Sequence, residues 1–200
     1  MAAVTTAPST EQRLLEATLA CLARHGIAKT TLDDVAREAG VARATLYRYF
    51  PGKQALLAAA VATEAARMVA AIDAAGAAAE DLEDAVVAMM RTAAHELSHQ
   101  AALQFALAHE PEQVLPYLAF SGGYAFLAAA SGAFAPTLDR FLPAERVPRA
   151  AEWCARMVLT VLDPGEQALI ADDVVVRDMV REFVIPGLVP ESLRTVHSKG

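Results

Sequence analysis

The sequence predicts an all-α protein in which an N-terminal three-helix domain with a helix-turn-helix motif is joined to a larger helical domain. Hydrophobic residues make up 55% of the 200 residues, and the chain is rich in alanine and leucine, which favour helices. Apolar residues recur with helical spacing, and neither an alternating strand pattern nor an internal repeat is present. We predict a disordered tail over 1–9, the helix-turn-helix domain over 10–53 and the second domain over 54–200.

The first helix is predicted at about 10–25. Ser9 or Thr10 can cap its start, and Gly26 marks its end because glycine readily leaves the helical conformation. The preceding segment, 1–9, has no basic region and no apolar core, so we do not expect a signal peptide. The apolar stripe of this helix consists of Leu15, Leu19 and Leu22.

The next segment, 31–53, has the pattern of a helix-turn-helix followed by the start of a supporting helix. Its sequence is TLDDVAREAGVARATLYRYFPGK. Thr31 can cap the first helix of the motif together with Asp34, three residues later. Gly40 lies at the turn, where a residue with a positive φ is needed. The side chains expected to face the interior are Val35, Ala36, Leu46 and Phe50.

The second helix of the motif leaves a cationic, hydrogen-bonding and aromatic face exposed. This face consists of Arg43, Thr45, Tyr47, Arg48 and Tyr49. Such a face suits a helix that enters the major groove of DNA, where side chains meet base edges and phosphates. A merely solvated helix face is the alternative, and the agreement of turn, interior and face argues against it. The sequence therefore predicts sequence-specific DNA binding.

Residues 10–57 resemble the DNA-binding domain of TetR-type (tetracycline-repressor-like) bacterial transcriptional regulators. The stretch TLYRYFPGK, residues 45–53, is close to the most typical run of that family. The resemblance implies a homodimer, a palindromic DNA operator with two half-sites, and an effector pocket in the second domain. Two positions depart from the family pattern, because many relatives carry serine where this chain has Ala42, and serine or another polar residue where it has Gly52.

Seven residues are expected to contact DNA. Arg43 suits the O6 and N7 atoms of guanine, and Thr45 suits a phosphate or a thymine methyl group. The resemblance implies that Tyr47 and Tyr49 contact the sugar–phosphate backbone, because they match family positions that do so. Lys53, at the start of the fourth helix, suits a phosphate. The full set is Thr31, Arg43, Thr45, Tyr47, Arg48, Tyr49 and Lys53.

Charge is divided unevenly along the chain. Residues 1–53 hold seven Lys/Arg against five Asp/Glu, a balance of +2. Residues 54–200 hold ten Lys/Arg against nineteen Asp/Glu, a balance of −9. We therefore expect the acidic part to face away from DNA and the mildly basic part to face it.

The two cysteines, Cys21 and Cys154, fall in different predicted domains. A disulfide between them is not expected, and a cytoplasmic location fits this cysteine usage. We predict that both thiols are buried in apolar surroundings, with a redox switch as the alternative.

The second domain is predicted to be helical throughout. A fourth helix starts after residues 51–52 and links the domains, with a break at about 74–81. The uncharged run over 114–138 is long enough to span a membrane, but its prolines and glycines favour a buried, interrupted helix. Further helices are expected at about 82–99, 101–109, 115–134, 144–162 and 172–185.

The last two predicted helices, the eighth at 144–162 and the ninth at 172–185, are amphipathic. Two such helices from each of two subunits suit a four-helix interface, so a homodimer through helices 8 and 9 is expected. Packing within one subunit is the alternative for part of these residues.

The middle of the second domain is apolar and contains small residues between larger ones. This composition suits a pocket for a small hydrophobic effector, such as a lipid-derived or acyl thioester ligand or a drug-like compound. A filled core is the alternative. The candidate pocket residues are Met89, Met90, Phe105, Phe120, Tyr124, Phe126, Trp153 and Met157.

Residues 95–99 match the HExxH motif, in which two histidines one turn apart bind zinc and the glutamate is a general base. The extended zinc motif would need glycine and histidine where this chain has Ala102 and Phe105. A chance match is therefore favoured, and we predict no enzyme activity, no cofactor and no metal. The chain is expected to be a repressor that its effector releases from the operator, although an activator would carry the same motifs. A zinc hydrolase and a helical interaction protein without DNA binding are the alternatives from other classes.

Overall fold

A computed structural model of the chain describes residues 8–118, 120–160 and 172–189. Within these ranges the chain is helical and contains no strand, which confirms the predicted all-α class. The helices are α1 (Thr10–Lys29), α2 (Leu32–Glu38), α3 (Arg43–Tyr49), α4 (Lys53–Ala77), α5 (Leu82–His99), α6 (Ala101–His109), α7 (Pro111–Leu118), α8 (Phe120–Leu138), α9 (Val147–Thr160), α10 (Asp173–Met179), a π-helical segment (Val180–Val184) and α11 (Ile185–Leu188).

The chain divides into two compact units. The first comprises Met1–Ala66 and Gln100–Val114, and the second comprises Arg67–His99 and Leu115–Gly200. The first unit therefore contains the helix-turn-helix, the first part of α4 and all of α6. The domain boundary expected after residue 53 stays a prediction, as does the tail over 1–9, of which residues 1–7 lie outside the described residues.

Helix α1 begins at the predicted cap but extends beyond the predicted end. Ser9 accepts a hydrogen bond from the backbone N–H of Gln12, and Gln12 reaches back to the N–H of Ser9. Gly26 leaves the helical conformation as expected, with φ of 78° and ψ of 176°. The chain then resumes helical geometry to Lys29, because the carboxylate of Glu110 accepts hydrogen bonds from the N–H groups that follow the kink.

The helix-turn-helix packs on α1 through the interior side chains that the sequence predicts. Leu46 and Val35 are fully buried against Leu14 of α1, and Phe50 and Ala36 are also buried. The turn contains Gly40 with φ of 62°, which confirms that a positive φ is needed there.

Hydrogen bonds close this turn on both sides. The N–H of Val41 donates to the carbonyl of Ala36 at 3.0 Å, which is the closure typical of a helix that ends in a glycine. The guanidinium of Arg13 donates to the carbonyls of Ala39 at 2.6 Å and of Gly40 at 3.2 Å. Thus α1 fixes the end of α2 directly.

In the second unit, α5 contributes its inner face to the core and α8 packs along α9. The buried residues of α5 include Val86, Met89, Met90 and Ala93. Phe134 and Leu138 of α8 and Cys154 of α9 are buried as well. The side chain of Arg140 donates to the carbonyls of Gly76, Ala77 and Ala79, so it caps the end of α4.

Two later predicted helices also differ from the observed ones. The helix expected over 115–134 corresponds to α7 and α8, and α8 continues to Leu138 because Pro136 lies in its last turn, where it removes a single backbone hydrogen bond. The helix expected over 172–185 contains the π-helical segment. From α10 to α11 the buried residues recur every four residues. A π-helical turn contains more residues than an α-helical turn, so it helps to keep residues with this spacing on one face. The buried residues are Val176, Val180, Val184 and Leu188.

Among the described residues, one helix, α4, is long and apolar enough to cross a membrane by length and composition alone. A single such helix is weak evidence for a membrane span, because helices of soluble proteins pass the same test. The described residues of the uncharged run over 114–138 belong to α7 and α8, and Phe134 and Leu138 of this run are buried in the second unit.

Candidate nucleic-acid interface

Helix α3 is fastened to the first unit by one side and presents its other side to solvent. Leu46 is fully buried, and Phe50 directly after the helix is buried too. Of the seven residues expected to contact DNA, Arg43, Tyr47, Arg48 and Tyr49 are exposed on α3, and Thr45 is half-buried. The start of α3 lacks a side-chain cap at Ala42, in line with the absence of the serine common in relatives.

The guanidinium of Arg43 is held by two neighbours. Its Nη1 atom donates to the carboxylate of Asp33 at 2.9 Å, and its Nη2 atom donates to the hydroxyl oxygen of Tyr47 at 3.2 Å. The guanidinium carbon also lies 5.5 Å from the centre of the Tyr47 ring, within the range of a cation–π contact. The hydrogen bond to Tyr47 and the charge of Asp33 raise the pKa of Arg43 above its ordinary value.

A second cation–aromatic pair lies at the end of α3. The guanidinium carbon of Arg48 is 5.5 Å from the centre of the Tyr49 ring. Because cation–π attraction and stacking orient flexible arginine side chains, both exposed arginines of α3 are partly ordered by a neighbouring tyrosine.

Thr31 takes part in the cap of α2. Its hydroxyl donates to the carboxylate of Asp34 at 2.6 Å and accepts from the Asp34 backbone N–H at 3.2 Å. The Thr31 hydroxyl and then the Thr31 N–H lower the pKa of Asp34 by hydrogen bonding to its ionised carboxylate. The predicted capping role of Thr31 is therefore confirmed, and its hydroxyl proton is already used in the DNA-free protein.

Lys53 and Glu110 bind the same short stretch of backbone at the end of α1. The Lys53 Nζ atom donates to the carbonyl oxygens of Ile27 at 2.6 Å and Ala28 at 3.3 Å. The Glu110 carboxylate accepts from the N–H groups of Ile27 at 2.5 Å and Ala28 at 3.0 Å. Lys53 thus uses two of its three N–H donors to bind backbone carbonyls.

Sequence reasoning missed three residues that shape this surface: Arg13, Asp33 and Glu110. Arg13 and Glu110 act across large separations along the chain, since Arg13 meets Ala39 and Glu110 meets residues more than eighty positions away. Helical periodicity describes only neighbours on one helix, so it carries no signal for such contacts. The ten-residue spacing of Asp33 and Arg43 across a glycine turn is the one clue that the sequence offers.

The candidate effector-pocket residues lie in different surroundings. Met89 and Met90 are buried in the second unit, whereas Trp153 is exposed and Met157 is half-buried there. Phe105 belongs to the first unit, where its ring stacks on His109 with 4.3 Å between centres. The side chains of Phe120, Tyr124 and Phe126 lie outside the described residues.

A groove of about 810 Å³ lies on the outer side of α5 in the second unit. The end of α4 and the start of α10 complete its walls, and its lining includes Arg91, His95, His99 and Asp173. No candidate pocket residue is among the described residues that line it. The Arg91 guanidinium binds the Asp173 carboxylate at 2.5 Å, so opposite charges in this groove are paired.

The HExxH residues do not form a catalytic arrangement. The exposed rings of His95 and His99 lie 4.0 Å apart, and Nδ1 of His99 is 2.9 Å from the His95 carbonyl oxygen. Glu96 instead binds the guanidinium of Arg67 at 2.5 Å. Within the part of the chain that the structure describes, no group of three or more His, Cys, Asp or Glu residues is placed to hold a metal ion.

Both cysteines are buried and unpaired, which confirms their predicted burial. Burial raises the pKa of the Cys154 thiol to about 12. Burial also raises the pKa of Cys21, and the hydrogen bond from Arg24 opposes that shift. Neither thiol has the lowered pKa of a reactive cysteine.

Comparison with known proteins identifies relatives of both the N-terminal segment and the whole chain. Residues 14–60 match the family model described as bacterial regulatory proteins, tetR family. The HTH-type transcriptional regulator SrpR of Pseudomonas putida is 40% identical over 57 residues, which are 28% of this chain and 27% of SrpR. An uncharacterised HTH-type transcriptional regulator of Mycobacterium tuberculosis is 29% identical over 181 residues, which are 90% of this chain and 86% of that relative. The chain thus spans about a quarter of SrpR but most of the mycobacterial relative.

Solved structures share the fold over most of the chain. The TetR family repressor AlkX from Dietzia superimposes with a TM-score of 0.66 and 22% identity, over 90% of this chain and 95% of AlkX. The regulator FadR from Bacillus subtilis, solved in complex with stearoyl-CoA, gives a TM-score of 0.61 and 16% identity, over 85% of this chain and 97% of FadR. AlkX is described as a repressor and FadR as a transcriptional regulator, and their likeness extends the fold match beyond the helix-turn-helix.

Proposed function

This chain belongs to the tetR family of bacterial regulatory proteins, and on that premise we propose that it is a homodimeric, cytoplasmic transcriptional repressor. The observation that carries the proposal is the combination of the family match over residues 14–60 with the exposed face of α3. That face holds two arginines, each close to a tyrosine ring, on a helix anchored by buried Leu46 and Phe50. In a helix-turn-helix, such a second helix enters the major groove.

Arg43 is the residue proposed to read a base. Its guanidinium can present two N–H groups to the O6 and N7 atoms of guanine. Tyr47, Arg48 and Tyr49 are proposed to contact the backbone around that base, and Thr45 a phosphate or a thymine methyl group. Replacement of Arg43 by alanine should therefore relax base preference at one position in each half-site.

Lys53 is proposed to contact a phosphate with the N–H donor that its two backbone carbonyls leave free. Lys53→Ala should weaken binding to all duplexes and flatten the salt dependence, because one fewer phosphate is neutralised per subunit. Equal salt slopes for the wild type and Lys53→Ala would contradict this role. Thr31 is proposed to reach a phosphate from the start of α2.

The dimer is proposed to form through α9 and the segment from α10 to the π-helix, which correspond to predicted helices 8 and 9. Trp153 on α9 is 45% exposed and Phe183 is 67% exposed in the single subunit, although both are large apolar side chains. Val174 and Val175 are exposed on α10. Exposed apolar groups of this size favour burial against a second subunit. Two copies of α3 can then occupy successive major grooves of a palindromic operator, about 34–36 Å apart.

The effector is proposed to be a small hydrophobic compound, such as an acyl thioester. The core of the second unit is apolar around Met89 and Met90, and the similar FadR was solved with stearoyl-CoA. Ligand binding would change the separation of the two α3 helices and release DNA. DNA and ligand must then weaken each other's binding by the same factor.

No catalytic activity is proposed for this chain. The glutamate that a zinc peptidase would use as a base, Glu96, is engaged by Arg67. We expect no hydrolysis of peptides by the protein, with or without added zinc.

The test is fluorescence anisotropy of the protein on DNA from upstream of its own gene, with stearoyl-CoA as the titrated ligand. Tight binding that the thioester reverses supports the repressor and its effector class. Tight binding that the thioester leaves unchanged keeps the DNA-binding regulator and discards that ligand class. If neither this DNA nor any duplex from an unbiased selection binds at low salt, the protein is an interaction protein instead. Arg43→Ala measured on the same duplexes links the binding to α3.

A further inference from the structure

The contact between Asp33 and Arg43 indicates how α3 discriminates between DNA sequences. We propose that Asp33 is a specificity-determining residue, which orients the Arg43 guanidinium for a base and reduces its attraction to phosphates. The inference rests on the proposed function, DNA binding through α3. It assigns a role to an acidic residue of α2, outside the cationic face of the reading helix.

The ion pair spans the turn of the helix-turn-helix. Asp33 is the second residue of α2 and Arg43 is the first residue of α3. The Nη1 atom of Arg43 is 2.9 Å from the Asp33 carboxylate, while Nη2 binds the Tyr47 hydroxyl. The side chains of Arg43 and Asp33 are 60% and 57% exposed, so the guanidinium is held in place yet open to DNA.

This arrangement is compatible with a base contact. A guanidinium carries five N–H donors, and Asp33 and Tyr47 use two of them. A guanine edge can take the second N–H of Nη1 and replace the Tyr47 hydroxyl at Nη2, while Asp33 keeps its own bond. Because Asp33 fixes the plane of the guanidinium in advance, less rotamer freedom of Arg43 is lost when the base binds.

The same arrangement works against contact with phosphates. To contact a phosphate outside this plane, the Arg43 guanidinium must either break its bond to Asp33 or bring the phosphate charge close to the Asp33 carboxylate. Sequence-independent affinity comes mainly from cations that neutralise phosphates and release counterions. Because it is paired with Asp33, Arg43 contributes less to the neutralisation of phosphates. It remains able to bind a base that presents two acceptors.

The chain offers a matched control in the same unit. Glu38, at the end of α2, binds Arg24 at 2.5 Å, and both side chains are well exposed. Glu38→Gln removes one carboxylate charge, as Asp33→Asn does, but it frees an arginine of α1 and leaves Arg43 with its partners. A difference between the two variants thus reports the contact with Arg43 and not the net charge.

The experiment measures dissociation constants on the best duplex from an unbiased selection and on a scrambled duplex of the same length. At about 0.1 M salt, Asp33→Asn should bind the scrambled duplex about three- to tenfold more tightly and steepen its salt slope by about one per subunit. Affinity for the selected duplex should change less, so the ratio of the two affinities falls at least about threefold. Glu38→Gln should keep that ratio within about twofold, and the melting temperatures should agree within about 2 °C because both ion pairs are exposed.

An unchanged ratio in Asp33→Asn, or the same fall in Glu38→Gln, would overturn the inference. The background of Arg43→Ala provides a second test, in which Asp33→Asn should no longer alter the ratio. If the ratio still falls there, the carboxylate does not act through Arg43 and the inference is wrong. Failure of the wild type to bind any selected duplex would overturn the proposed function itself, whereas binding with an unaltered ratio overturns only the role of Asp33.

Discussion

Single residues decide where the backbone of the first unit turns. Gly26 and Gly40 both have positive φ, of 78° and 62°, but their surroundings differ. An added Cβ at Gly40 would lie 3.7 Å from a nitrogen of Arg13, an ordinary contact, whereas one at Gly26 would lie 2.7 Å from the Glu110 carboxylate. Conformational freedom therefore explains Gly40, and Gly26 is needed for space as well.

The two glycines should differ in their sensitivity to alanine. Gly40→Ala should cost about 1 kcal/mol of unfolding free energy, because only the left-handed backbone is strained. Gly26→Ala should cost more, on the order of 2–3 kcal/mol, because Glu110 must also give up its hydrogen bonds. Urea unfolding of both variants followed by circular dichroism measures the difference. An equal or larger loss in Gly40→Ala would contradict the role of Glu110 at the kink.

The cysteines should be unreactive in the folded protein. At pH 8 the thiol of Cys154, with its pKa of about 12, is almost entirely protonated, and Cys21 is shifted in the same direction. Ellman's reagent should therefore label native protein far more slowly than protein in guanidinium, where both thiols react. Rapid labelling of one native thiol would contradict this prediction and favour a redox-switch role for that cysteine.

At the scale of elements, α6 is joined to α1 by a carboxylate that binds backbone. Glu110 follows α6 and binds the N–H groups of Ile27 and Ala28, and Lys53 at the start of α4 binds the carbonyls of the same two residues. Three helices thus meet at one kink of α1. The first unit consequently includes α6, although the segment Arg67–His99, which separates the two parts of this unit along the chain, belongs to the second unit.

Loss of the Glu110 carboxylate should weaken the first unit. Glu110→Gln keeps the side-chain length but turns an N–H₂ group towards a backbone donor, so we expect a loss of about 1–3 kcal/mol in urea unfolding. Glu112→Gln is the control, since it removes the same charge from the exposed first turn of α7 and should cost less than about 0.5 kcal/mol. Equal effects of both variants would mean that charge and not hydrogen bonding is responsible.

The stabilising ion pair between Glu83 of α5 and Arg181 of the π-helical segment should depend on pH. Arg181 first, and then Arg177, lower the pKa of Glu83 below its ordinary value of 4.5. A carboxylate with a lowered pKa stabilises the fold above the ordinary value and loses that contribution as pH falls below 4.5. The stability difference between wild type and Glu83→Gln should therefore be constant above pH 5 and shrink towards pH 3. If the stability difference grows on acidification, the ion pair of Glu83 does not stabilise the fold in this way.

For the whole molecule, charge and exposed apolar groups separate two roles. The balance of +2 over residues 1–53 and −9 over the remainder concentrates attraction for DNA near the helix-turn-helix. The large exposed apolar side chains of α9, α10 and the π-helical segment lie in the second unit instead. The proposed DNA contacts and the proposed dimer surface therefore lie in different parts of the chain.

Self-association should fail when charge enters the proposed dimer surface. Phe183→Glu should yield a folded monomer in sedimentation velocity and weaken operator binding at least about a hundredfold, since each half-site then binds alone. Val61→Glu is the control, because Val61 is 61% exposed on α4 in the first unit and outside the proposed interface. A dimeric Phe183→Glu protein would place the interface elsewhere.

Local patterns in the sequence were sufficient for most helices and for the exposed face of α3. Capping by Ser9 and Thr31 and the turn at Gly40 involve neighbours within one or two turns, and the inward-facing side of α3 follows from the four-residue spacing of Leu46 and Phe50. The π-helical segment and the continuation of α1 beyond Gly26 escaped prediction because each depends on packing or on a distant carboxylate.

The sequence by itself determined the helical class, the helix-turn-helix and the residues of α3 that face solvent, because these follow from short-range periodicity and backbone preference. The tertiary structure alone decided which groups hold those residues. Asp33 accepts a hydrogen bond from Arg43 across the turn, and Glu110 accepts one from the backbone at the kink of α1. Lys53 donates to a backbone carbonyl at the same kink. Each of these contacts joins groups from different helices, and the position of a helix relative to another is set by the packing of the core and not by local periodicity.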